Sequence, residues 1–138
     1  MAPQATMTKL SRSPTAASGA DAVMERALET LDFDHWEYDE ERLVELAVLL
    51  FRKSGLMESF KIDEGRLRAF VNAVRDGYRA NPFHNFRHGF DVLQVVSALT
   101  SGTTLRQLRP LELLAMFITA LCVDLDHGGA FPKPSSAS

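Results

Sequence analysis

A single cysteine, Cys122, is the only thiol in this 138-residue chain. That excludes an internal disulfide and any cysteine-rich zinc motif, and it leans towards a reducing compartment without settling one. An excess of one charge is also missing: fifteen basic against eighteen acidic side chains leave a net charge of −3. A broad basic surface is therefore excluded, and nucleic acid is not expected as a partner. Long hydrophobic runs are absent too. Leu46 to Phe51, and Leu113 to Cys122 with Thr119 interrupting it, fall short of the ~20 apolar residues that span a bilayer. No membrane span is expected. Glycine-rich phosphate loops of the P-loop or dinucleotide type are absent as well.

With 46% hydrophobic and 24% charged residues, the chain has the composition of one ordinary globular domain. A chain of this length hides roughly two-thirds of its unfolded surface, enough for a core without cross-links. Residues 1–20 carry Pro3, Pro14 and Gly19 without periodicity, and Lys9 and Arg12 without an acid. They read as a disordered leader, with an organelle transit peptide as the alternative. The cytoplasm is the expected location, an organelle the other on account of that leader.

Beyond the leader the periodicity is helical throughout. Val23, Ala27, Leu28 and Leu31 recur at three- and four-residue steps after Asp21, a candidate N-cap. Asp32 to Asp39 reads as an aromatic connector. Asp39 should cap a helix whose buried stripe is Leu43, Leu46, Ala47 and Leu50 and which closes at a left-handed Gly55. From Asp63 a helix carries Leu67, Phe70, Val71, Val74 and Tyr78, ending at Asn81-Pro82. Another spans about His84 to Leu99, and the last opens with Pro110, a residue suited to a first turn. Leu111, Leu114, Phe117, Ile118 and Leu121 make that last helix read as buried. No strand-like alternation survives, so the expected class is all-α, with residues 21–129 as the folded part and 130–138 as an irregular tail.

Two clusters could carry chemistry: His84-Asn85-Phe86-Arg87-His88 and Asp124-Leu125-Asp126-His127. Three of the four histidines lie in them. If the first cluster is helical, His84 and His88 project from one face, a spacing that lets two imidazoles share a site. They could equally be surface or capping residues after a proline turn. Asp124 closes an apolar helix and must be hydrogen-bonded, paired or metal-bound to stay charged there. Alternatively, Asp124 and Asp126 bond turn amides before Gly128-Gly129. Together the clusters offer three imidazoles and two carboxylates, a set suited to zinc beside a harder magnesium or manganese ion. Cys122, in an apolar run without a basic neighbour, reads as inert packing. His35-Trp36 reads as a local contact, and Arg66, Arg68, Arg75 and Arg79 as a solvated helix face.

The run from Asp76 to Val92, with Asn81-Pro82-Phe83-His84-Asn85-Phe86-Arg87-His88 at its centre, closely resembles the opening signature of class I 3′,5′-cyclic-nucleotide phosphodiesterase catalytic domains. Ala120 to Gly129 resembles that family's second metal motif, and the likeness extends from about Leu31 to Gly129. The resemblance implies an all-helical domain that binds zinc plus magnesium or manganese and hydrolyses cAMP or cGMP to the 5′-nucleotide in signal transduction. It makes His84 the general acid for the ribose 3′-oxygen, His88 a zinc ligand and Asp124 the carboxylate shared by both ions. His127, Asn85 and Asp126 would be supports. Val123 stands where the family carries a metal-binding histidine, so one ligand is lost. The family's remaining aspartate ligand and its purine pocket come from later helices, beyond Ser138. The expectation is therefore the N-terminal part of such a domain, weak or inactive alone. The alternatives are a non-catalytic helical module that self-associates or pairs with a full-length relative, and a truncated splice or gene-model product.

Overall fold

The computed structural model describes residues 19–102 and 107–129, and the described residues are helical without a strand. Six α-helices follow in order: α1 Gly19–Ala27, α2 Glu40–Lys53, α3 Leu56–Ser59, α4 Glu64–Gly77, α5 Phe86–Ser101 and α6 Pro110–Leu121, with a 3₁₀ turn at His35–Glu37. The expected leader, apart from Gly19 and Ala20, and the expected tail lie outside the described residues.

Local chemistry sets most of the helix starts. The carboxylates of Asp34, Asp39 and Asp63 and the carboxamide oxygen of Asn85 accept from the backbone amides of Trp36, Arg42, Arg66 and His88. Each satisfies an amide that has no partner inside its helix, a bond worth ~1 kcal/mol at a helix start. Gly55 takes φ +79° directly after α2, the left-handed stop expected of it. At α6, Pro110 occupies the first turn, and the Glu112 carboxylate reaches back to the Arg109 amide at 2.9 Å.

α2 is the central helix: Leu43, Val44, Leu46, Ala47, Val48, Leu50 and Phe51 are buried, and it packs on α3, α4 and α5. α5 lies along α6, with Phe90, Leu93, Phe117 and Leu121 inaccessible between them. Phe117 meets Phe51 edge-on at 5.2 Å. Gly89 marks the close approach of the pair, because a Cβ there would lie 2.7 Å from the Leu121 carbonyl and 2.6 Å from the Tyr78 hydroxyl. The buried carboxamide of Gln94 donates to the carbonyls of Leu28 and Thr30 at 2.9 and 2.7 Å, tying α5 to the chain just after α1.

Three expectations need correction, and one element, α3, was not expected. α1 starts two residues before Asp21, which lies in its first turn, and Val23 and Leu31 are exposed. α5 starts at Phe86 with Asn85 as its cap, so His84 lies outside the helix. α3 was not legible as a separate turn. α6 is half-buried: Phe117, Ala120 and Leu121 face the core, while Leu111 is 67% exposed and Met116 and Ile118 are also open. Apolar spacing identifies a face that favours burial; whether a neighbour covers it is decided elsewhere.

Candidate metal centre

The two clusters meet where the segment leading into α5 passes the turn after α6. Asp124 is the hub. Its Oδ2 lies 2.9 Å from His84 Nδ1 and 3.2 Å from His88 Nε2, bringing groups about forty residues apart to one oxygen. His127 joins from the same turn, its ring stacked on His84 with centroids 3.9 Å apart. One ligand atom from each of His84, Asp124 and His127 falls within 4.8 Å of the others. His84 and His88 do converge, with their rings perpendicular and 6.2 Å apart. They do so across the start of α5 rather than from one helix face.

The Asp124 pKa is lowered from its ordinary value. The hydrogen bond with His84 is the main cause, burial opposes it, and the charges of His84, His88 and His127 add to it. The carboxylate is therefore ionised and available as an acceptor or ligand. Burial pushes the Cys122 thiol up, consistent with inert packing.

The remaining candidates separate. Asn85 caps α5 through the His88 amide and donates its own amide to the Asn81 carbonyl at 2.8 Å. Asp126, in the left-handed region at φ +59°, turns away from the cluster to pair with Arg79 at 2.8 Å. Arg79 is thus an anchor rather than only part of a solvated face. Val123 is 47% exposed and offers no donor atom. His35-Trp36 also exceeds a local contact: His35 Nδ1 pairs with Asp91 at 3.2 Å, and the Arg87 guanidinium lies 5.3 Å from the centre of the Trp36 ring.

Sequence reasoning missed Tyr78 and Asn81. Tyr78 read as a core residue and Asn81 as half of a helix stop. The Tyr78 hydroxyl donates to the Leu121 carbonyl at 2.7 Å and accepts from the Asp124 amide at 3.3 Å. The Asn81 carboxamide donates to the carbonyls of His84 and His127 at 3.2 and 2.6 Å. Hydropathy spacing carries no trace of such long-range bonds.

Three imidazoles and a carboxylate suit a borderline-soft divalent ion in donor type. For a second, oxygen-preferring ion the described residues of the cluster supply only Asp124, because Asp126 is engaged by Arg79. The fold and site together define a helical domain with a histidine-aspartate cluster able to hold a metal ion.

The family model described as 3′5′-cyclic nucleotide phosphodiesterase matches residues 83–131. The chain is 34% identical over 99 residues to the cGMP-specific 3′,5′-cGMP phosphodiesterase 3 of Dictyostelium discoideum, covering 71% of this chain and 21% of that protein. It is 34% identical over 114 residues to a dual 3′,5′-cyclic-AMP and -GMP phosphodiesterase of Takifugu rubripes, covering 82% and 13%. Among solved structures, the phosphodiesterase domain of a Salpingoeca rosetta rhodopsin phosphodiesterase superposes with a TM-score of 0.72 at 39% identity, over 84% of this chain and 35% of that one. The chain carries part of a class I 3′,5′-cyclic-nucleotide phosphodiesterase catalytic domain, a metal-dependent family. It spans about a fifth or less of the length of these curated relatives. No helix among the described residues is long and apolar enough to cross a membrane.

Proposed function

We propose that this chain supplies the proton-donating and metal-binding side of a phosphodiesterase site acting on cAMP or cGMP, and that its own turnover is low. The observation that supports this most directly is the single ionised carboxylate of Asp124 facing His84 and His88 at 2.9 and 3.2 Å. His84 is the general acid. Its Nδ1 is oriented by Asp124, so the opposite nitrogen, Nε2, hands the proton to the departing ribose 3′-oxygen. His88 and Asp124 hold zinc, and the free edge of the Asp124 carboxylate serves magnesium or manganese. When bound, such ions supply a nucleophile at neutral pH and offset the charge that builds on the phosphoryl group. His127 braces the His84 ring, Asn85 sets the start of α5, and Asp126 pins the turn through Arg79. With Val123 offering no metal-binding atom, His88 and Asp124 are the two zinc ligands assigned here, where catalytic zinc sites usually keep three, which is why turnover should be low.

The test is hydrolysis of cAMP and cGMP by the purified chain with zinc plus magnesium, with EDTA, and with His84→Ala. The expected result is slow turnover that EDTA and the substitution both abolish. Turnover that survives His84→Ala would refute the assigned role, and failure of the chain to bind zinc at micromolar concentrations would refute the metal centre.

A second reading, a non-catalytic module that pairs with a second copy or a longer relative, is favoured by the exposed apolar side chains of α6, Leu111, Met116 and Ile118. Light scattering decides it: a concentration-dependent dimer supports it, and a monomer at all concentrations excludes self-pairing.

A further inference from the structure

We infer that Asn81, outside both chemical clusters in the sequence, is the positioning residue that assembles them. Asn81 sits between α4 and α5, in contact with both halves of the site. Its carboxamide nitrogen has two protons, and each has a carbonyl to meet: His84 at 3.2 Å and His127 at 2.6 Å. One planar group therefore sets the separation of two backbone positions whose rings stack at 3.9 Å.

The clamp is itself held on three sides. The Asn81 carbonyl accepts from the Asn85 side chain at 2.8 Å, coupling it to the cap of α5. Two residues upstream, Arg79 grips Asp126 in the turn after α6. Gly129 closes the third side: its φ is +73°, and a Cβ there would lie 2.5 Å from the Asn81 Oδ1 atom. Glycine is needed at 129 both for its backbone angle and for the room it leaves the carboxamide.

Asn81 touches no reacting atom in this arrangement; it acts through the backbones of His84 and His127. Loss of its two donors frees the turn after α6 to move relative to the start of α5, separating the imidazoles while the buried core stays packed. A role in zinc binding rests on the metal centre proposed above, whereas the juxtaposition of the rings does not.

The experiment has two readouts on the full chain. The first is the nuclear Overhauser contact between the ring protons of His84 and His127 without metal, assigned with His84→Ala. The second is zinc affinity by titration. Asn81→Ala should abolish the ring contact and weaken zinc binding at least tenfold, with helical circular dichroism unchanged. Asn81→Asp, which keeps the size of the side chain and removes both amide protons, should do the same, and serves if Asn81→Ala fails to fold. A ring contact retained in either folded variant, or absent from the parent chain, overturns the inference. So does unchanged zinc affinity once the contact is lost. If the parent chain binds no zinc, the metal centre fails, and the ring contact still decides the part played by Asn81.

Discussion

The Tyr78 hydroxyl, at the end of α4, donates to the carbonyl of Leu121, the last residue of α6, across 43 positions of sequence. The same oxygen accepts from the Asp124 amide. Tyr78 thereby fixes the direction in which the chain leaves α6 and with it the place of the carboxylate that three imidazoles surround. Burial pushes its phenol pKa up, so the hydroxyl keeps its proton throughout the physiological range.

Tyr78→Phe should cost about 1–2 kcal/mol, because the phenyl ring still fills its space while the Leu121 carbonyl is left unpaired. Urea unfolding measures the loss. Zinc affinity should also fall, as the Asp124 turn gains freedom; an unchanged unfolding midpoint would show that water replaces the hydroxyl without cost.

Gly89→Ala should destabilise the chain by about 1–3 kcal/mol, in the range of overpacking. The added methyl meets the Leu121 carbonyl and the Tyr78 hydroxyl, and backbone cannot yield as a flexible side chain does. Thermal unfolding should show the drop. Alanine favours a helix over glycine, so a rise in melting temperature would mean that α5 and α6 separate readily.

Gln94→Ala should cost about 1–3 kcal/mol by leaving the carbonyls of Leu28 and Thr30 without a donor and opening a void. Hydrogen exchange locates the damage: protection should fall first in α1, whose end Gln94 holds.

The pH dependence follows from Asp124. Its folded pKa lies below the ordinary value of 3.8, so its contribution is present above that pH and is lost as pH falls through the folded value. The stability gap between the parent chain and Asp124→Asn should be full at pH 6 and shrink below about pH 4. Chemical unfolding at a series of pH values measures it. A gap that stays constant to pH 2 would show that the carboxylate is not stabilised by the imidazoles.

Local signals were the legible part of this chain. Asp39, Asp63 and Gly55 act where the pattern places them because capping and left-handed turns involve bonds within three or four residues. Periodicity identified the stripe of α2 and, apart from Phe70, that of α4, yet it misread Val23, Leu31, Leu111 and Ile118, whose exposure depends on what packs against them. The histidine pair shows the same limit. Spacing proposed one helix face for His84 and His88, but the Asn85 cap starts α5 one residue after itself, leaving His84 on the preceding segment.

The sequence by itself determined the helical class, the caps at Asp39 and Asp63 and the two chemical clusters, since each depends on residues that are neighbours along the chain. Only the tertiary structure decided that Asp124 meets His84 and His88, that Asp126 turns to Arg79, and that Tyr78 and Asn81 hold the arrangement. Those contacts span 36 to 47 positions. They come from the packing of α5 on α6 around Gly89, a relation set by the shapes of two surfaces that no periodicity along one strand of sequence encodes.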